Sequence, residues 1–244
     1  MGLQHAFGNS FLFYKWQKGF ELKMDTSEKI NWTKIDNILL DMDGTILDLS
    51  FDDYIWNYAV PENLAKVRNL DLKKAQAFLK QKMGTAKSTL NWYSFDYWQS
   101  SLNIDIDLIE EKNKEKIRYR EDTLFFLESK LFDSKRSILV TNADKQGLNR
   151  KLKITGLGKY FQNIVCSHDL GHAKEEQLFW KKLRVTCDLN FNRTLLIDDN
   201  LHVLETAKKI GIRYLRGISK PNSRANPIKS DDYLLIDKLQ EVLY

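Results

Sequence analysis

Short uninterrupted apolar runs alternate with helix-like stretches along most of the chain. Apolar runs without polar alternation are typical of strands that helices cover on both faces of a sheet. One helical pattern, over residues 201–210, ends at Gly211, a residue suited to a left-handed helix C-terminus. The alternation predicts a doubly wound, Rossmann-like parallel α/β sheet. The predicted strands are 38–40, 137–140, 163–166, 194–197 and 213–215, and the other predicted helices between them are 145–154 and 174–184.

Residues 50–122 differ from the rest because they give only helical patterns. Apolar side chains recur at helical spacing from Phe51 to Tyr58, and we expect Pro61 to end this first helix. A second stripe runs from Leu72 to Met83 and is expected to end at Gly84. Two further helices are predicted at 89–102 and 107–119. The pattern predicts an all-helical cap inserted after the first strand, over the carboxyl ends of the strands, with residues 31–49 and 123–244 forming the α/β core.

Composition narrows the class of protein without identifying it. The 244 residues are 43% hydrophobic and 29% charged, with a net charge of +5 and no run of like charges typical of a nucleic-acid tail. No apolar run approaches the roughly 18 residues of a membrane span. The cysteines, Cys166 and Cys187, lack metal-binding spacing, which favours reduced thiols in a cytoplasmic protein without membrane partners. We interpret residues 1–30 as an N-terminal extension, disordered or not native, with Met24 as a candidate translation start.

Carboxylates follow two of the predicted strands at the point where each strand ends. Asp41 and Asp43 come directly after the first strand and alternate along the chain. Buried carboxylates are costly unless they are paired or bind a metal. Because ligands of open α/β sheets bind outside the carboxyl ends of the strands, we expect these groups to converge. The side chains placed there are Asp41, Asp43, Thr141, Asn142, Lys174, Asp198 and Asp199.

Four segments in this order resemble the signatures of the haloacid-dehalogenase-like superfamily. They are DMDGT at 41–45, LVTNA at 139–143, Lys174 within GHAKEEQ, and LLIDDN at 195–200. The resemblance implies that Asp41 is the nucleophile and forms an aspartyl-phosphate, and that Asp43 is the general acid and base. An acid at the second position is typical of phosphatases and phosphomutases, not of dehalogenases or ion pumps.

The same resemblance implies a magnesium cofactor and a phosphoryl site. The implied ligands of Mg²⁺ are the Asp41 carboxylate, the Asp43 main-chain carbonyl and Asp199, with Asp198 as an outer partner. Thr141 and Lys174 would hold the phosphoryl oxygens, and Asn142 would also contact the substrate. Without the other signatures, Thr141 and Asn142 could equally be interpreted as caps of the helix that begins at residue 145. Asn200 is interpreted as the start of the following helix.

The cap extends the resemblance to the bacterial GMP/IMP 5′-nucleotidases of the superfamily. The similarity runs from about residue 35 to the end of the chain, through the segments 41–62, 89–98, 119–128 and 211–217. It implies a small phosphorylated metabolite, a purine nucleoside monophosphate, as substrate. The aromatic segment TLNWYSFDYW at 89–98 makes Trp92 and Tyr93 candidates for contact with a base, although most of its aromatic residues are expected in the cap core.

Two other functions compete with the nucleotidase hypothesis. The first is a sugar-phosphate phosphatase or phosphomutase with the same core. The second is a non-catalytic nucleic-acid-binding module with a basic surface formed by Lys208, Lys209, Arg213 and Arg216. All catalytic positions are filled, which favours an enzyme without a nucleic-acid partner. The sequence specifies neither the preferred base nor the oligomeric state.

Overall fold

A six-stranded parallel sheet forms the centre of the protein in the computed structural model, which describes residues 29–87 and 89–244. The strands are β1 (Asn37–Leu40), β2 (Arg136–Thr141), β3 (Asn163–Cys166), β4 (Thr194–Asp198), β5 (Tyr214–Ile218) and β6 (Leu235–Ile236). The strand order is β3-β2-β1-β4-β5-β6, which confirms the doubly wound topology predicted from the sequence. The sequence did not predict β6, because two apolar residues give no periodic signal.

Alternate residues of the central strands supply two separate hydrophobic cores. Leu40 and Leu139 belong to one core cluster, and Leu39 and Ile138 belong to the other. All four side chains are fully buried. Both sheet faces are therefore covered, which explains why the strand sequences show continuous apolar runs without polar alternation.

The predicted core helices 145–154 and 201–210 are confirmed, the predicted helix 174–184 begins later than expected, and three short core helices were not predicted. Gly156 and Gly211 follow α8 (Lys145–Thr155) and α11 (Leu201–Ile210) with φ angles of 67° and 97°, as expected for left-handed C-terminal caps. The predicted helix start at Lys174 is wrong, because α10 (Gln177–Thr186) begins three residues later and Lys174 lies in the preceding turn. Tertiary contacts occupy the Lys174 backbone: its N–H donates to Asn142, and its carbonyl accepts from Trp180. The core helices are α6 (Thr123–Leu127), α7 (Lys130–Asp133), α8 (Lys145–Thr155), α9 (Ser167–Leu170), α10 (Gln177–Thr186) and α11 (Leu201–Ile210).

A helical cap is inserted between β1 and β2, as predicted. Its first helical stretch continues through Pro61, so the predicted end there is wrong. A π-helical turn precedes Pro61, in which the Val60 N–H reaches the Ile55 carbonyl, and this wider turn makes room for the proline ring. Tyr58, which lies within this turn, is 58% exposed. The cap helices are α1 (Ser50–Tyr54), the π-turn (Ile55–Ala59), α2 (Val60–Arg68), α3 (Leu72–Ala86), α4 (Phe95–Leu102) and α5 (Ile106–Glu111).

Three other cap boundaries differ from the prediction. Gly84 lies inside α3 and does not end it, since the helix continues to the buried Ala86. The predicted helix 89–102 divides at Ser94, which caps α4, and a 3₁₀ turn (Leu90–Tyr93) precedes it. The predicted helix 107–119 consists of α5 and a 3₁₀ turn (Lys114–Lys116). At Ser94 a polar cap therefore decided the boundary, and apolar spacing did not.

Two antiparallel segments connect the cap to the core. Leu47 pairs with Tyr119 in an isolated bridge, and Asp48 and Arg120 donate backbone hydrogen bonds to the opposite segment.

The domain limits at 31–49, 50–122 and 123–244 stay a prediction. The prediction for residues 1–30, including the candidate start at Met24, falls almost wholly outside the described residues. Within the described part of the chain, no helix has the length and apolar character needed to cross a bilayer.

Candidate active site

One cavity, between the carboxyl ends of the strands and the cap, collects every site residue expected from the sequence. Its volume is about 330 Å³, at the lower end of the range usual for small-molecule sites. Because β1, β2 and β4 are parallel neighbours, the residues that follow or end them meet at one edge. The lining includes Asp41, Asp43, Trp92, Tyr93, Thr141, Asn142, Lys174, Asp198 and Asp199.

Lys174 is the buried counter-ion of the carboxylates at the bottom of this cavity. Its ammonium nitrogen lies 2.5 Å from Asp41 Oδ1, 2.8 Å from Asp198 Oδ2 and 3.3 Å from the Val140 carbonyl oxygen. Burial opposes its charged form, but Asp198 and Asp41 together raise the pKa of Lys174. Its three donors are therefore directed at three acceptors, and its charge is retained.

Three carboxylates form a candidate cation site beside Lys174. One oxygen from each of Asp41, Asp198 and Asp199 lies within 4.8 Å of the other two. Asp41 Oδ2 is buried and has no hydrogen-bond partner among the described residues. Burial raises the pKa of Asp41 to about 7 and that of Asp199 well above its usual value. Crowded oxygens, one of them unpartnered, fit a hard divalent cation.

Gly44 allows this close approach of the two Asp-containing loops. Its φ angle is +89°, a conformation that L side chains rarely adopt. A Cβ atom at this position would collide with the carboxylate of Asp199. The glycine turn in the first signature is thus required by the position of an acid more than 150 residues later in the chain.

Lys151 and Asp52 are site residues that the sequence interpretation missed. Lys151, on α8, is 3% exposed, and its ammonium nitrogen lies 2.7 Å from both Asp43 Oδ1 and Asp52 Oδ1. Asp52 belongs to cap helix α1, and burial raises its pKa to about 7. A lysine in a polar helix pattern carries no signal of burial, so only the tertiary structure identifies this contact.

The sequence interpretation also missed the buried acid Glu110. It is 3% exposed, lines the cavity, and accepts a hydrogen bond of 2.7 Å from Arg150. Burial raises the pKa of Glu110 to about 7. Gly147 makes room for this contact, because a Cβ there would lie 3.1 Å from the Phe95 ring and 3.3 Å from Glu110.

The capping alternatives raised for Thr141, Asn142 and Asn200 are decided by the hydrogen bonds. Asp144 caps α8 by accepting from the Gln146 N–H, so the capping interpretation of Thr141 and Asn142 is wrong. Asn142 instead holds the Lys174 turn, since its Oδ1 accepts from the Lys174 N–H at 2.9 Å. Asn200 caps α11, as predicted, because its Oδ1 accepts a hydrogen bond from the His202 N–H.

Aromatic side chains of the cap form part of the cavity wall. Trp56, Trp92, Tyr93 and Phe95 all line it. Trp92 packs edge-on against Trp98, with ring centres 6.3 Å apart, and Trp98 is 1% exposed in the cap core. The expectation that most aromatic residues of this segment pack in the cap core is confirmed, because Phe95 and Trp98 are buried core residues and Trp92 and Tyr97 pack against them. Trp92 and Tyr93 also line the cavity.

The basic surface proposed as a nucleic-acid site is smaller than the sequence suggested. Arg216 is only 1% exposed, because it points from β5 into the core, and its guanidinium donates to the Leu215 carbonyl. Arg213 is half-buried. Lys208 and Lys209 at the end of α11 are therefore the main exposed members of the group.

The fold and the site define a member of the haloacid dehalogenase-like hydrolase family, and the family model matches residues 38–216. The chain belongs to this family. It is 38% identical over 194 residues to the GMP/IMP nucleotidase YrfG of Escherichia coli K12, covering 80% of this chain and 87% of that protein. The same identity and coverage hold for YrfG of Shigella flexneri. The family and this relative support a phosphatase-type hydrolase.

Solved structures support the fold. An HAD phosphatase from Thermococcus onnurineus superimposes with a TM-score of 0.70 at 19% identity, over 86% of this chain and 98% of that one. YfnB from Bacillus subtilis, solved bound to magnesium, gives a TM-score of 0.59 at 20% identity, over 85% and 96% of the two chains. At these identities the likeness concerns the arrangement of core and cap.

Proposed function

We propose that this phosphatase hydrolyses purine nucleoside 5′-monophosphates such as GMP and IMP. The observation that carries the proposal is the single cavity in which cap aromatics, among them Trp56 and Trp92, face the aspartates of the strand ends. Aromatic faces stack on bases, and the strand-end aspartates are the proposed groups for phosphoryl transfer and metal binding. The identity to a GMP/IMP nucleotidase extends through the cap, which supports the same substrate class.

The proposed reaction begins with Asp41. One oxygen of the Asp41 carboxylate, which Lys174 orients through its contact with Oδ1, attacks phosphorus. The phosphorus–oxygen bond to the nucleoside breaks, and the leaving oxygen takes a proton from Asp43. The products of this step are the nucleoside and an aspartyl-phosphate on Asp41. In the second step Asp43, now a carboxylate paired with Lys151, accepts a proton from the attacking water, and phosphate leaves Asp41.

Thr141 and Lys174 are the proposed donors to the phosphoryl oxygens. Thr141 is buried, and its oxygen already accepts a hydrogen bond from the Ala143 N–H, so its own hydroxyl hydrogen is available to a ligand. Lys174 makes its longest contact, 3.3 Å, with the Val140 carbonyl. We propose that a phosphoryl oxygen replaces this acceptor, because a charged acceptor forms the stronger hydrogen bond.

The carboxylate cluster fits Mg²⁺ as the cofactor. Asp41, Asp199 and the main-chain carbonyl of Asp43 are the proposed ligands. Asp198 is the outer partner, because its Oδ2 accepts from Lys174 and its Oδ1 accepts from the Asn200 N–H. When bound, the ion neutralises the crowded carboxylates and stabilises negative charge on the transferring phosphoryl group.

A substrate panel with phosphate detection tests the proposal. We expect release of phosphate from GMP and IMP at higher kcat/KM than from pyrimidine nucleotides or sugar phosphates. A higher kcat/KM for sugar phosphates would favour the alternative phosphatase, and an isomerised product without free phosphate would identify a phosphomutase. Salt-sensitive binding of RNA or DNA without hydrolysis would support a binding module.

A cytoplasmic location is part of the proposal. Cys166 and Cys187 are both buried free thiols, and unpaired cysteines are usual in a reducing compartment. Fractionation of the native host, with the protein detected by antibody, tests this location.

A further inference from the structure

The carboxylate of Glu175 joins the cap to the two loops that carry the catalytic side chains. Its Oε1 accepts from the Tyr93 hydroxyl at 2.5 Å and from Asn200 Nδ2 at 3.1 Å, and its Oε2 accepts from Asn142 Nδ2 at 3.0 Å. The three donors come from the cap, the segment after β4 and the segment after β2. A charged acceptor with three donors forms strong hydrogen bonds, so this carboxylate fixes the relative positions of these segments.

Glu175 also fixes the turn that carries Lys174. Its backbone carbonyl accepts from the Thr206 hydroxyl at 3.0 Å. Asn142 binds the same turn from both ends of its amide, because Oδ1 accepts from the Lys174 N–H and Nδ2 donates to Glu175. A shift of the Glu175 carboxylate would therefore move Asn142 and the backbone of Lys174 together.

Tyr93 supplies the connection from the cap. It belongs to the 3₁₀ turn (Leu90–Tyr93) and is partly buried. Burial and the adjacent Glu175 both raise its pKa, so the hydroxyl keeps its proton and donates. The next cap residues make a further connection, since the Phe95 N–H donates to Asp144 at 2.9 Å.

We propose that Glu175 is a positioning residue of the phosphatase site and that the Tyr93 hydroxyl is its donor in the cap. Docking of the cap then completes the hydrogen bonds that orient Asn142 and Lys174 towards the phosphoryl group. The inference rests on the proposed roles of these two residues in phosphoryl binding. It gives Tyr93 a role through Glu175 in place of the direct base contact expected from the sequence.

Tyr93→Phe tests the inference with the smallest change, because only the hydroxyl is lost. Tyr97→Phe is the matched control: Tyr97 lies in the next helix, packs edge-on against Trp98 at 5.0 Å, and has no hydroxyl partner among the described residues. For Tyr93→Phe we expect kcat/KM to fall about tenfold on both GMP and p-nitrophenyl phosphate, mainly through kcat. The control should stay within about twofold.

The substrate dependence separates positioning from base contact. A loss confined to GMP and expressed in KM would show that Tyr93 binds the base, and it would overturn the inference. Equal kcat/KM values for Tyr93→Phe and the wild-type protein on both substrates would overturn it as well.

Glu175→Gln and the double variant provide the second measurement. We expect Glu175→Gln to lower kcat at least as much as Tyr93→Phe does. Glu175→Gln leaves one uncharged acceptor oxygen for three donors, so both changes disrupt the same hydrogen-bonded group, and the double variant should lose less than the sum of the two single losses. Additive losses would show that the two residues act separately. Melting temperatures of the three variants are measured in parallel. If the variants lose stability with the same non-additive pattern but keep the wild-type kcat, the hydrogen bond serves folding alone and the inference is overturned.

Asp41→Asn, assayed in the same panel, separates this inference from the proposed function. If Asp41→Asn remains as active as the wild-type protein, the proposed function is wrong. If Asp41→Asn is inactive while Tyr93→Phe and Glu175→Gln behave as wild type, only the positioning inference is wrong.

Discussion

The ammonium nitrogen of Lys151 lies 2.7 Å from Oδ1 of Asp43, the acid proposed to exchange protons with the leaving group and with water. The same nitrogen lies 2.7 Å from Oδ1 of Asp52 in the first cap helix. One buried cation therefore contacts the proposed acid and base from a core helix while binding the cap. Its position connects the chemistry to the docked cap independently of the Glu175 contacts.

Lys151→Met should impair catalysis through its effect on Asp43. Without the ammonium group the Asp43 carboxylate loses its orientation, and we expect kcat to fall by about 10- to 100-fold, part of the usual effect of general acid–base catalysis. The two carboxylates lose their shared partner, which should lower the free energy of unfolding by about 3 kcal/mol. Steady-state kinetics below the melting temperature and denaturant titration measure both effects.

Lys153→Met is the control for this variant. Lys153 lies two residues further along α8 and is exposed. It should leave both kcat and stability close to those of the wild-type protein. Equal kinetics for Lys151→Met and Lys153→Met would contradict the proposed role of Lys151.

Asp41→Asn should abolish turnover while the protein stays folded. The amide has nearly the same shape as the carboxylate but cannot act as the nucleophile, so we expect a loss of at least about a thousandfold in kcat. Circular dichroism and thermal unfolding should show a folded variant. Phosphatase activity unchanged from wild type in a folded Asp41→Asn protein would falsify the aspartyl-phosphate mechanism.

Removal of divalent cations by EDTA should abolish activity, and Mg²⁺ should restore it. A second readout is independent of turnover: binding to the folded state raises the free energy of unfolding, by about 2.7 kcal/mol at a hundredfold excess over Kd. The melting temperature of the wild-type protein should therefore rise with Mg²⁺. Asp199→Asn removes a proposed ligand, and its melting temperature should respond much less. An equal response in both proteins would exclude Asp199 as a ligand.

Trp92→Leu tests the aromatic wall of the cavity. Loss of a stacking surface should raise KM for GMP by about tenfold, which corresponds to the lower part of the usual stacking contribution. The KM for p-nitrophenyl phosphate should change little, because that substrate has no purine. A parallel rise in both KM values would indicate that the substitution disturbs cap packing against Trp98 instead.

Glu110→Gln should remove a pH-dependent part of the stability. In the folded protein burial raises the pKa of Glu110 to about 7, above its usual value of 4.5. The folded state then binds the proton more tightly than the unfolded state, so this contribution is complete below about pH 4.5 and is lost as pH rises through about 7.

The glutamine variant cannot lose a proton from this position. Relative to the wild-type protein, its free energy of unfolding should increase by up to about 3 kcal/mol as pH rises from about 4 to 8. Denaturant titrations at both pH values measure the difference. A constant difference between the two proteins would show that Glu110 has an ordinary pKa in the folded state.

The sequence predicted the sheet well because each central strand is buried on both faces. The continuous apolar runs at β1 and β4 are short and fit few structures other than a buried strand. Gly211 indicates a helix end because glycine readily adopts the left-handed backbone conformation found there. The cap was predicted less well. The apolar spacing around Pro61 predicted a helix end, but a π-turn accommodated the proline, and no local signal distinguishes these outcomes.

The sequence by itself determined that the residues following the strands lie together, because strand ends in a parallel sheet meet at one edge, and the resemblance of four segments to a known family supplied their expected roles. Asp41, Thr141 and Asp198 could be placed together on that ground. Only the tertiary structure decided the partners of these groups. Lys151 and Glu175 lie in polar stretches whose burial depends on how the cap docks, and docking is set by contacts between segments far apart in the chain. Charge and hydrogen bonding act through space, so their partners cannot be identified from local pattern.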